Sequence, residues 1–218
     1  MLGVLMLATT FSRPVGDIGN PKTFPFPVLY ETVPTASVRR VVVDPDPALI
    51  EEFVAGGRFL EQRGAQAIAT SCGFLSLYQA EIQAHLSVPF AASSLLQIPA
   101  AEKLHGQIGV ITARAASLSE RHFRAAGCTH MPAAVAGMDS CPAFTAAIIE
   151  GKVPLDERAV QRELIAVTRE MVRKRPELRA IVLECTNLPP YSAAVREASG
   201  LPVYDSTTLC LDLMNAAR

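Results

Sequence analysis

The chain has 218 residues, of which 50% are hydrophobic and 19% are charged, and its formal net charge at pH 7 is -1. A chain of this length and polarity can bury a large core, either as one domain or as two lobes of about 100 residues each. The near-neutral charge leaves no basic surplus to neutralise phosphates, so we expect a small-molecule partner and not nucleic acid.

The apolar segments and the cysteines indicate the compartment. Residues 1–8 are apolar but lack a basic flank and run straight into two threonines, which favours a buried first strand over a signal peptide. No run approaches the ~18 apolar residues that span a bilayer. Five cysteines at irregular spacings, without a secretory context, predict free thiols in a reducing environment. We therefore expect a cytoplasmic protein with no membrane partner.

The first half of the chain alternates short apolar runs with helical patterns. Asp46-Pro47 is typical of a helix start, with an N-cap followed by proline at the first helical position. A second helix is predicted over 74–86, where apolar residues recur at intervals of three and four. The short apolar runs are typical of strands buried on both faces of a parallel sheet. These predicted strands cover residues 3–7, 38–43, 67–70 and 88–90.

The second half repeats this alternation. Its predicted strands cover residues 107–112, 178–183 and 201–204. Ser117 and Glu120 have capping-box spacing before a helix that ends near Gly127. Further helices are predicted over 156–174, 190–199 and 206–216. Alternating strands and helices predict parallel sheets with right-handed crossovers.

Two cysteines occupy equivalent places in the two halves. Cys72 and Cys185 each end an apolar run, and a tyrosine follows each cysteine by six residues (Tyr78 and Tyr191). A proline that opens another short apolar run follows each cysteine by seventeen residues. The chain therefore looks like two copies of one α/β unit.

This duplication predicts the architecture. We expect an α/β fold of two lobes related by a pseudo-two-fold axis, each a short parallel sheet flanked by helices, with the active site in the cleft between them. The first lobe is predicted to comprise residues 1–103 together with 205–218, and the second residues 104–204. No Gly/Ser linker separates the halves.

The predicted position of the two thiols suggests chemistry. Ligands of open α/β sheets bind outside the carboxyl ends of the strands, which is where Cys72 and Cys185 fall. A thiol at a strand-to-helix turn has backbone N–H groups and a positive helix end nearby, so we expect its pKa to be lowered. Two thiols on opposite sides of one cleft suit the movement of a proton from one face of a carbon atom to the other.

Three segments resemble a known family. Thr70-Ser71-Cys72-Gly73, Cys185-Thr186-Asn187 and the strand Gly109-Val110-Ile111-Thr112-Ala113, in their duplicated layout, are similar to the aspartate/glutamate racemase superfamily. The resemblance covers essentially the whole chain. Members include amino-acid racemases, hydantoin racemases, maleate cis-trans isomerases and arylmalonate decarboxylases. Most work without metal or pyridoxal phosphate, so the resemblance implies that no cofactor is needed.

The resemblance also implies site residues. Cys72 and Cys185 match the two cysteines that deprotonate and reprotonate the substrate α-carbon. The N-terminal loop, residues 13–21, falls where the family contributes further substrate contacts. The implied substrate-binding residues are Arg13, Asn20, Ser71, Gly73, Thr112, Thr186 and Asn187.

The predicted function is a cofactor-independent racemase or epimerase that acts on a small carboxylate, an amino acid or a close derivative. The alternatives are a cis-trans isomerase or decarboxylase of the same superfamily, and a small-molecule binding protein that kept the fold without the chemistry. Glu184 and Asn187 stand where many amino-acid racemases carry glycine and an acid or histidine, and they fit that last alternative. A homodimer is compatible with the predicted function and with each of these alternatives.

A metal site is not expected. Cys128, His130 and Cys141 offer three candidate ligands, but their spacing is irregular.

Overall fold

The computed structural model describes residues 1–217, which form two parallel four-stranded sheets. The strands are Leu2–Leu7 (β1), Val28–Val33 (β2), Ala67–Thr70 (β3), Phe90–Ala91 (β4), Ile108–Thr112 (β5), Ala134–Gly137 (β6), Ala180–Leu183 (β7) and Val203–Tyr204 (β8).

Helices connect these strands. The α-helices are Leu49–Gln62 (α1), Gln79–Gln83 (α2), Ile98–His105 (α3), Glu120–Ala125 (α4), Pro142–Phe144 (α5), Glu157–Lys174 (α6), Ser192–Ser199 (α7) and Ser206–Ala216 (α8). Short 3-10 or π-helical segments cover Arg39–Val43, Gly73–Tyr78, Ser94–Gln97, Ala115–Ser117, Thr145–Ile149 and Pro189–Tyr191.

The two sheets have the same strand order, β2-β1-β3-β4 and β6-β5-β7-β8. In each sheet the two central strands are buried along their whole length, as expected for apolar strands covered on both faces. The registers correspond as well, since Leu5 pairs with Thr70 in the first sheet and Ile111 pairs with Leu183 in the second. The predicted α/β fold of two repeated parallel sheets is confirmed.

Two of the four edge strands, β2 and β6, differ from the prediction. Residues 39–43 are helical instead of extended, because Val41 and Val42 pack into the core from a single turn. The Arg40 side chain holds this turn by donating hydrogen bonds to Asp46 and to the carbonyl oxygen of Thr35. The strand that pairs with β1 is instead β2, and β6 pairs with β5. Neither β2 nor β6 was among the predicted strands, whereas the other two edge strands, β4 and β8, overlap predicted ones.

The C-terminal helix returns toward the start of the chain. Cys210 and Met214 of α8 are buried in a small core cluster with Leu2 and Val4 of β1. Asp205 is the N-cap residue of α8, and its side chain accepts hydrogen bonds from the backbone N–H groups of Thr207 and Thr208. The exact division into lobes at residues 103 and 204 stays a prediction.

Hydrogen bonds join the two halves close to the cysteines. The Thr186 hydroxyl donates to the carbonyl oxygen of Ser71 at 2.6 Å, and the Ser94 hydroxyl donates to the carbonyl oxygen of Leu183 at 2.6 Å. Both bonds are buried, so they fix the ends of β3 and β7 relative to each other. Across the described residues 1–217, each helix is too short or too polar to span a lipid bilayer.

Candidate active site

Cys72 and Cys185 line the same cavity, which has a volume of about 430 Å³ including the space at its open mouth. Cys72 follows β3 directly after Ser71, and Cys185 follows β7 directly after Glu184, so both lie at carboxyl ends of central strands. The walls are largely apolar, which excludes water and strengthens electrostatic interactions inside the cavity. These wall residues include Leu7, Phe11, Val42, Phe74, Ile148 and Ile149.

Most of the predicted site residues line this cavity. They are Arg13, Ser71, Cys72, Gly73, Cys185, Thr186 and Asn187. Thr112 and Asn20 are not among the lining residues, and their contact with substrate stays a prediction. Thr112 is fully buried and donates its hydroxyl to Glu184 at 2.6 Å. Asn20 donates its side-chain amide to the carbonyl oxygen of Arg13 at 2.8 Å. Each therefore holds another lining residue in place.

Two hydroxyls of the lining already have protein partners. The Ser71 hydroxyl accepts the backbone N–H of Leu7 at 2.9 Å, and the Thr186 hydroxyl donates to Ser71 as described above. These bonds brace the two cysteine loops against β1 and against each other. The hydroxyl groups therefore serve first to hold the loops.

The pKa of each thiol is raised, which contradicts the lowered pKa expected from the sequence. Burial raises the pKa of the Cys72 thiol, and the carboxylate of Glu184 raises it further. Burial and Glu184 likewise raise the pKa of Cys185 well above its usual value. The helical segment after Cys72 is a short 3-10 turn, Gly73–Tyr78, whose dipole is small. Loss of water therefore outweighs the effect of the helix end.

The backbone opposes this rise in the same way at both cysteines. A hydrogen bond from the N–H of Phe74 lowers the pKa of Cys72, and one from the N–H of Asn187 lowers the pKa of Cys185. In each case the donor is two residues after the cysteine. The positive charge of Arg13 also lowers the pKa of Cys72. The two cysteines thus have equivalent backbone donors, but Cys72 is influenced by the positive charge of Arg13 and Cys185 by the negative charge of Asp17.

Glu184 is a lining residue that the sequence analysis did not include among the site residues. Its side chain is fully buried, and burial raises its pKa to about 7 against the opposing hydrogen bonds of the Thr112 hydroxyl and the Ala113 backbone N–H. Its Oε1 atom has no hydrogen-bond partner among residues 1–217. A charged residue directly after four buried apolar residues of β7 and directly before Cys185 was the signal that could have identified it.

Arg13 is held by its own loop. Its guanidinium donates to the carboxylate of Asp17 at 2.8 Å and to the hydroxyl of Thr9 at 2.8 Å. It also lies over the ring of Phe11, 4.6 Å from the centroid. Because these contacts fix its position and Asp17 balances its charge, Arg13 is a preorganised cation at the cavity wall.

Asp17, a second residue that the sequence analysis missed, links this loop to the second cysteine. Its other carboxylate oxygen accepts the side-chain amide of Asn187 at 2.7 Å. The Cys185 thiol in turn donates to the Asn187 side-chain oxygen at 3.6 Å. A hydrogen-bond chain therefore runs from Arg13 through Asp17 and Asn187 to the sulfur of Cys185, and it orients that thiol.

The candidate metal ligands remain separate. The His130 side chain pairs with the carboxylate of Glu102 at 3.1 Å. Burial raises the pKa of Cys128 and of Cys141 to about 11, which disfavours the thiolate form that binds metals. Within residues 1–217, no group of three His, Cys, Asp or Glu side chains is placed to hold a metal ion.

Two parallel sheets of the same strand order, with matched cysteines facing one cavity, define a duplicated α/β protein. The chain belongs to the Asp/Glu/hydantoin racemase family, because the model of that family matches residues 32–214. The resemblance inferred from the cysteine loops is therefore confirmed, and with it the assignment to an enzyme family.

Relatives that are about a third identical to this chain are named as dimethylsulfoniopropionate lyases. The chain is 33% identical over 215 residues to a dimethylsulfoniopropionate lyase from Durusdinium sp. clade D, covering 94% of this chain and 71% of that protein. It is 32% identical over 226 residues to dimethylsulfoniopropionate lyase 3 from Emiliania huxleyi, covering 98% of this chain. The chain spans 58% of the length of that second relative.

Solved structures show the same fold at low identity. Unliganded arylmalonate decarboxylase superposes with a TM-score of 0.63 at 15% identity, covering 99% of this chain and 92% of the other. Glutamate racemase from Thermus thermophilus superposes with a TM-score of 0.58 at 24% identity, covering 99% of this chain and 79% of the other. At these identities the likeness concerns the fold alone.

Proposed function

We propose that this protein is a cofactor-independent lyase that cleaves a small carboxylate carrying a β-sulfonium group, of which dimethylsulfoniopropionate is the example. The observation that carries this proposal is a pair of cysteines around one apolar cavity, in a chain about a third identical to named dimethylsulfoniopropionate lyases. These relatives are longer than this chain, and we propose their activity for it.

The proposed reaction is a β-elimination. A cysteine thiolate removes a proton from the carbon next to the carboxylate, and the C–H electron pair becomes the second bond of a carbon–carbon double bond. The bond between the β-carbon and the sulfonium sulfur breaks, and its electron pair leaves on the sulfur. The products are dimethyl sulfide and acrylate, and the proton on the thiol returns to solvent. Atoms and electrons balance without an oxidant, a reductant or water.

Cys72 is the better candidate for the base. Both thiolates are favoured by a backbone N–H, but only that of Cys72 is also favoured by the charge of Arg13. Cys185 instead donates its S–H to Asn187, and the negative charge of Asp17 further disfavours its thiolate. A raised thiol pKa lowers the fraction of thiolate in the free enzyme, but it also makes the thiolate a stronger base toward carbon.

The cavity walls suit a substrate with methyl groups around a cation. Phe11 and Phe74 contribute aromatic rings, while Val42 and Ile148 contribute aliphatic surface. A sulfonium ion has no N–H or O–H to donate, so it is stabilised by aromatic faces and by charge. Arg13 is the one basic side chain among the lining residues, and it is the candidate partner of the substrate carboxylate.

Racemisation is the second candidate, and a specific observation favours it. Cys72 and Cys185 have equivalent positions and equivalent backbone donors, as expected if each serves one face of a carbon atom. Elimination needs only one base, whereas racemisation needs both. The two reactions share the first step, removal of a proton next to a carboxylate.

One experiment separates these functions. The protein is incubated in D₂O with dimethylsulfoniopropionate, with a panel of amino acids, and with unsaturated or disubstituted dicarboxylic acids, and proton NMR follows each mixture. Acrylate and dimethyl sulfide are expected. Deuterium at the α-carbon of an amino acid without acrylate would support a racemase instead. Unchanged spectra throughout would support a binding protein of the same fold.

A further inference from the structure

The elimination gives no role to the carboxylate of Glu184, which also lines the cavity. One of its oxygens accepts the hydroxyl of Thr112 at 2.6 Å, and the other has no partner among the described residues. No arginine, lysine or histidine of residues 1–217 forms a salt bridge with it. A buried carboxylate without a cation is costly when ionised. A charge in this position is therefore expected to have a cationic partner during function.

We propose that Glu184 is the anionic contact for the cationic group of the substrate, so that the site selects small zwitterions with an onium group over plain carboxylates and dicarboxylates. This inference deepens the proposed function, since it rests on that function for the identification of the onium group as dimethylsulfonium.

The charges of the lining support this assignment. Arg13 is already balanced by Asp17, so Glu184 is the acid of the lining that lacks a counter-charge. A zwitterion complements this arrangement, with its carboxylate toward Arg13 and its cation toward Glu184. A dicarboxylate would bring a second negative charge to a buried acid, which is unfavourable.

The position of Glu184 also couples the cation to the thiols. The carboxylate raises the pKa of both Cys72 and Cys185. An onium ion in the cavity offsets that negative charge, so it lowers the pKa of the thiols at the moment when a thiolate is needed. The cationic substrate would thereby promote ionisation of its own base, whereas an uncharged analogue would not.

Two probes of the same shape test the selection. The cationic probe is 3-(trimethylammonio)propanoate, and the neutral one is 4,4-dimethylpentanoate, in which carbon replaces nitrogen. Titration calorimetry at pH 8 measures the affinity of the wild type for each, and proton NMR of the mixtures checks that both probes stay intact. We expect the cationic probe to bind at least about tenfold more tightly.

The variants assign that preference to one residue. In Glu184→Gln the ratio of the two affinities should fall close to one. In Glu197→Gln, which removes an exposed acid on α7, the ratio should stay at the wild-type value. Equal affinities of the wild type for both probes, or a preference that survives in Glu184→Gln, would overturn the inference.

A second measurement needs no variant. Because the pKa of Glu184 is about 7, binding of a cation near pH 6 should ionise it and release up to about one proton, while binding near pH 8.5 should release almost none. Titrations in two buffers of different ionisation enthalpy count these protons. The neutral probe should release none at either pH. Absence of proton release with the cationic probe near pH 6 would contradict the inference.

The two proposals can fail separately. If cation preference depends on Glu184 but dimethylsulfoniopropionate is not cleaved, the lyase function is wrong and the inference stands. If dimethylsulfoniopropionate is cleaved and the preference is unchanged in Glu184→Gln, the inference is wrong and the lyase function stands.

Discussion

The side-chain amide of Asn187 donates a 2.7 Å hydrogen bond to the carboxylate of Asp17, although the two residues are 170 positions apart in the chain. Asp17 is 1% exposed and also accepts the guanidinium of Arg13. This one contact ties the loop after the first strand to the loop that carries the second cysteine. It therefore makes the N-terminal loop part of the site, where it sets the orientation of the Cys185 thiol through Asn187.

Asp17→Asn should destabilise the protein by about 3 kcal/mol, because it leaves the largely buried Arg13 without its counter-charge. Asp44→Asn is the matched control, since Asp44 pairs with Arg39 at the surface, where both side chains are more than half exposed. The control should change stability by less than about 1 kcal/mol. Urea denaturation measures both. Equal effects of the two substitutions would show that the Arg13–Asp17 pair is no stronger than a surface pair.

The central strands and the cysteine positions could be predicted from the sequence, since buried strands are apolar throughout and the two halves repeat. Two of the four edge strands, β2 and β6, could not. β6 is a short Ala/Gly-containing segment without a strong strand pattern, and the valine-rich segment at 38–43 forms a helical turn because tertiary packing overrides its β propensity. Local pattern does not determine which short apolar segment pairs at the edge of a sheet.

The site was predictable only where the halves repeat or where a family motif is present. Asp17 acts through a partner 170 residues away, and no spacing in the sequence indicates that contact. Glu184 has no counterpart in the first half, where Ser71 precedes the cysteine. The raised pKa of both thiols likewise depends on burial and on Glu184, and these are properties of the folded cavity.

Glu184 should make stability depend on pH in a defined window. Its pKa rises from an ordinary value of 4.5 to about 7 in the folded protein, so between these values the folded state binds more protons than the unfolded state. Stability from this group is therefore complete below about pH 4.5 and is lost as the pH rises through 7. The loss should be about 3 kcal/mol.

Urea denaturation of the wild type and of Glu184→Gln at about pH 4.5 and about pH 8 isolates this contribution. The stability of the variant relative to the wild type should increase from the lower to the higher pH, because glutamine does not ionise. A difference between the two proteins that does not change with pH would mean that Glu184 has the same pKa in the folded and unfolded states.

Gly73→Ala should disturb the site and the fold together. A Cβ at this position would overlap the Oε1 atom of Glu184 and approach the Glu184 carbonyl oxygen to 2.5 Å, and neither the buried side chain nor the backbone can move away freely. We expect a loss of about 1–3 kcal/mol and reduced turnover. The control is Gly109→Ala, whose Cβ would meet two side-chain ends at 3.0 Å, Cδ1 of Leu178 and Cε of Met171.

The control should retain turnover, because the ends of the Leu178 and Met171 side chains can shift and both residues lie away from the cavity lining. Denaturation curves and initial rates of both variants provide the comparison. If Gly73→Ala matched the wild type in stability and in rate, the close packing of Glu184 against residue 73 would be of no consequence.

The two cysteines should differ in their importance for elimination. Cys72→Ser should lower the rate of acrylate formation by about 10³-fold, because a hydroxyl of far higher pKa cannot replace the thiolate base. Cys185→Ser should retain activity within about tenfold of the wild type, since elimination needs one base and Cys185 is held as a donor to Asn187. Cys128→Ser, which changes a buried thiol outside the cavity lining, is the control and should retain full activity. Racemisation predicts a different pattern in D₂O. Both single variants would lose racemisation, and each would exchange the α-proton of only one enantiomer, the opposite one in each variant.

Equal loss of acrylate formation in Cys72→Ser and Cys185→Ser would contradict the assignment of Cys72 as the sole base. Both thiols would then have a role in the same turnover.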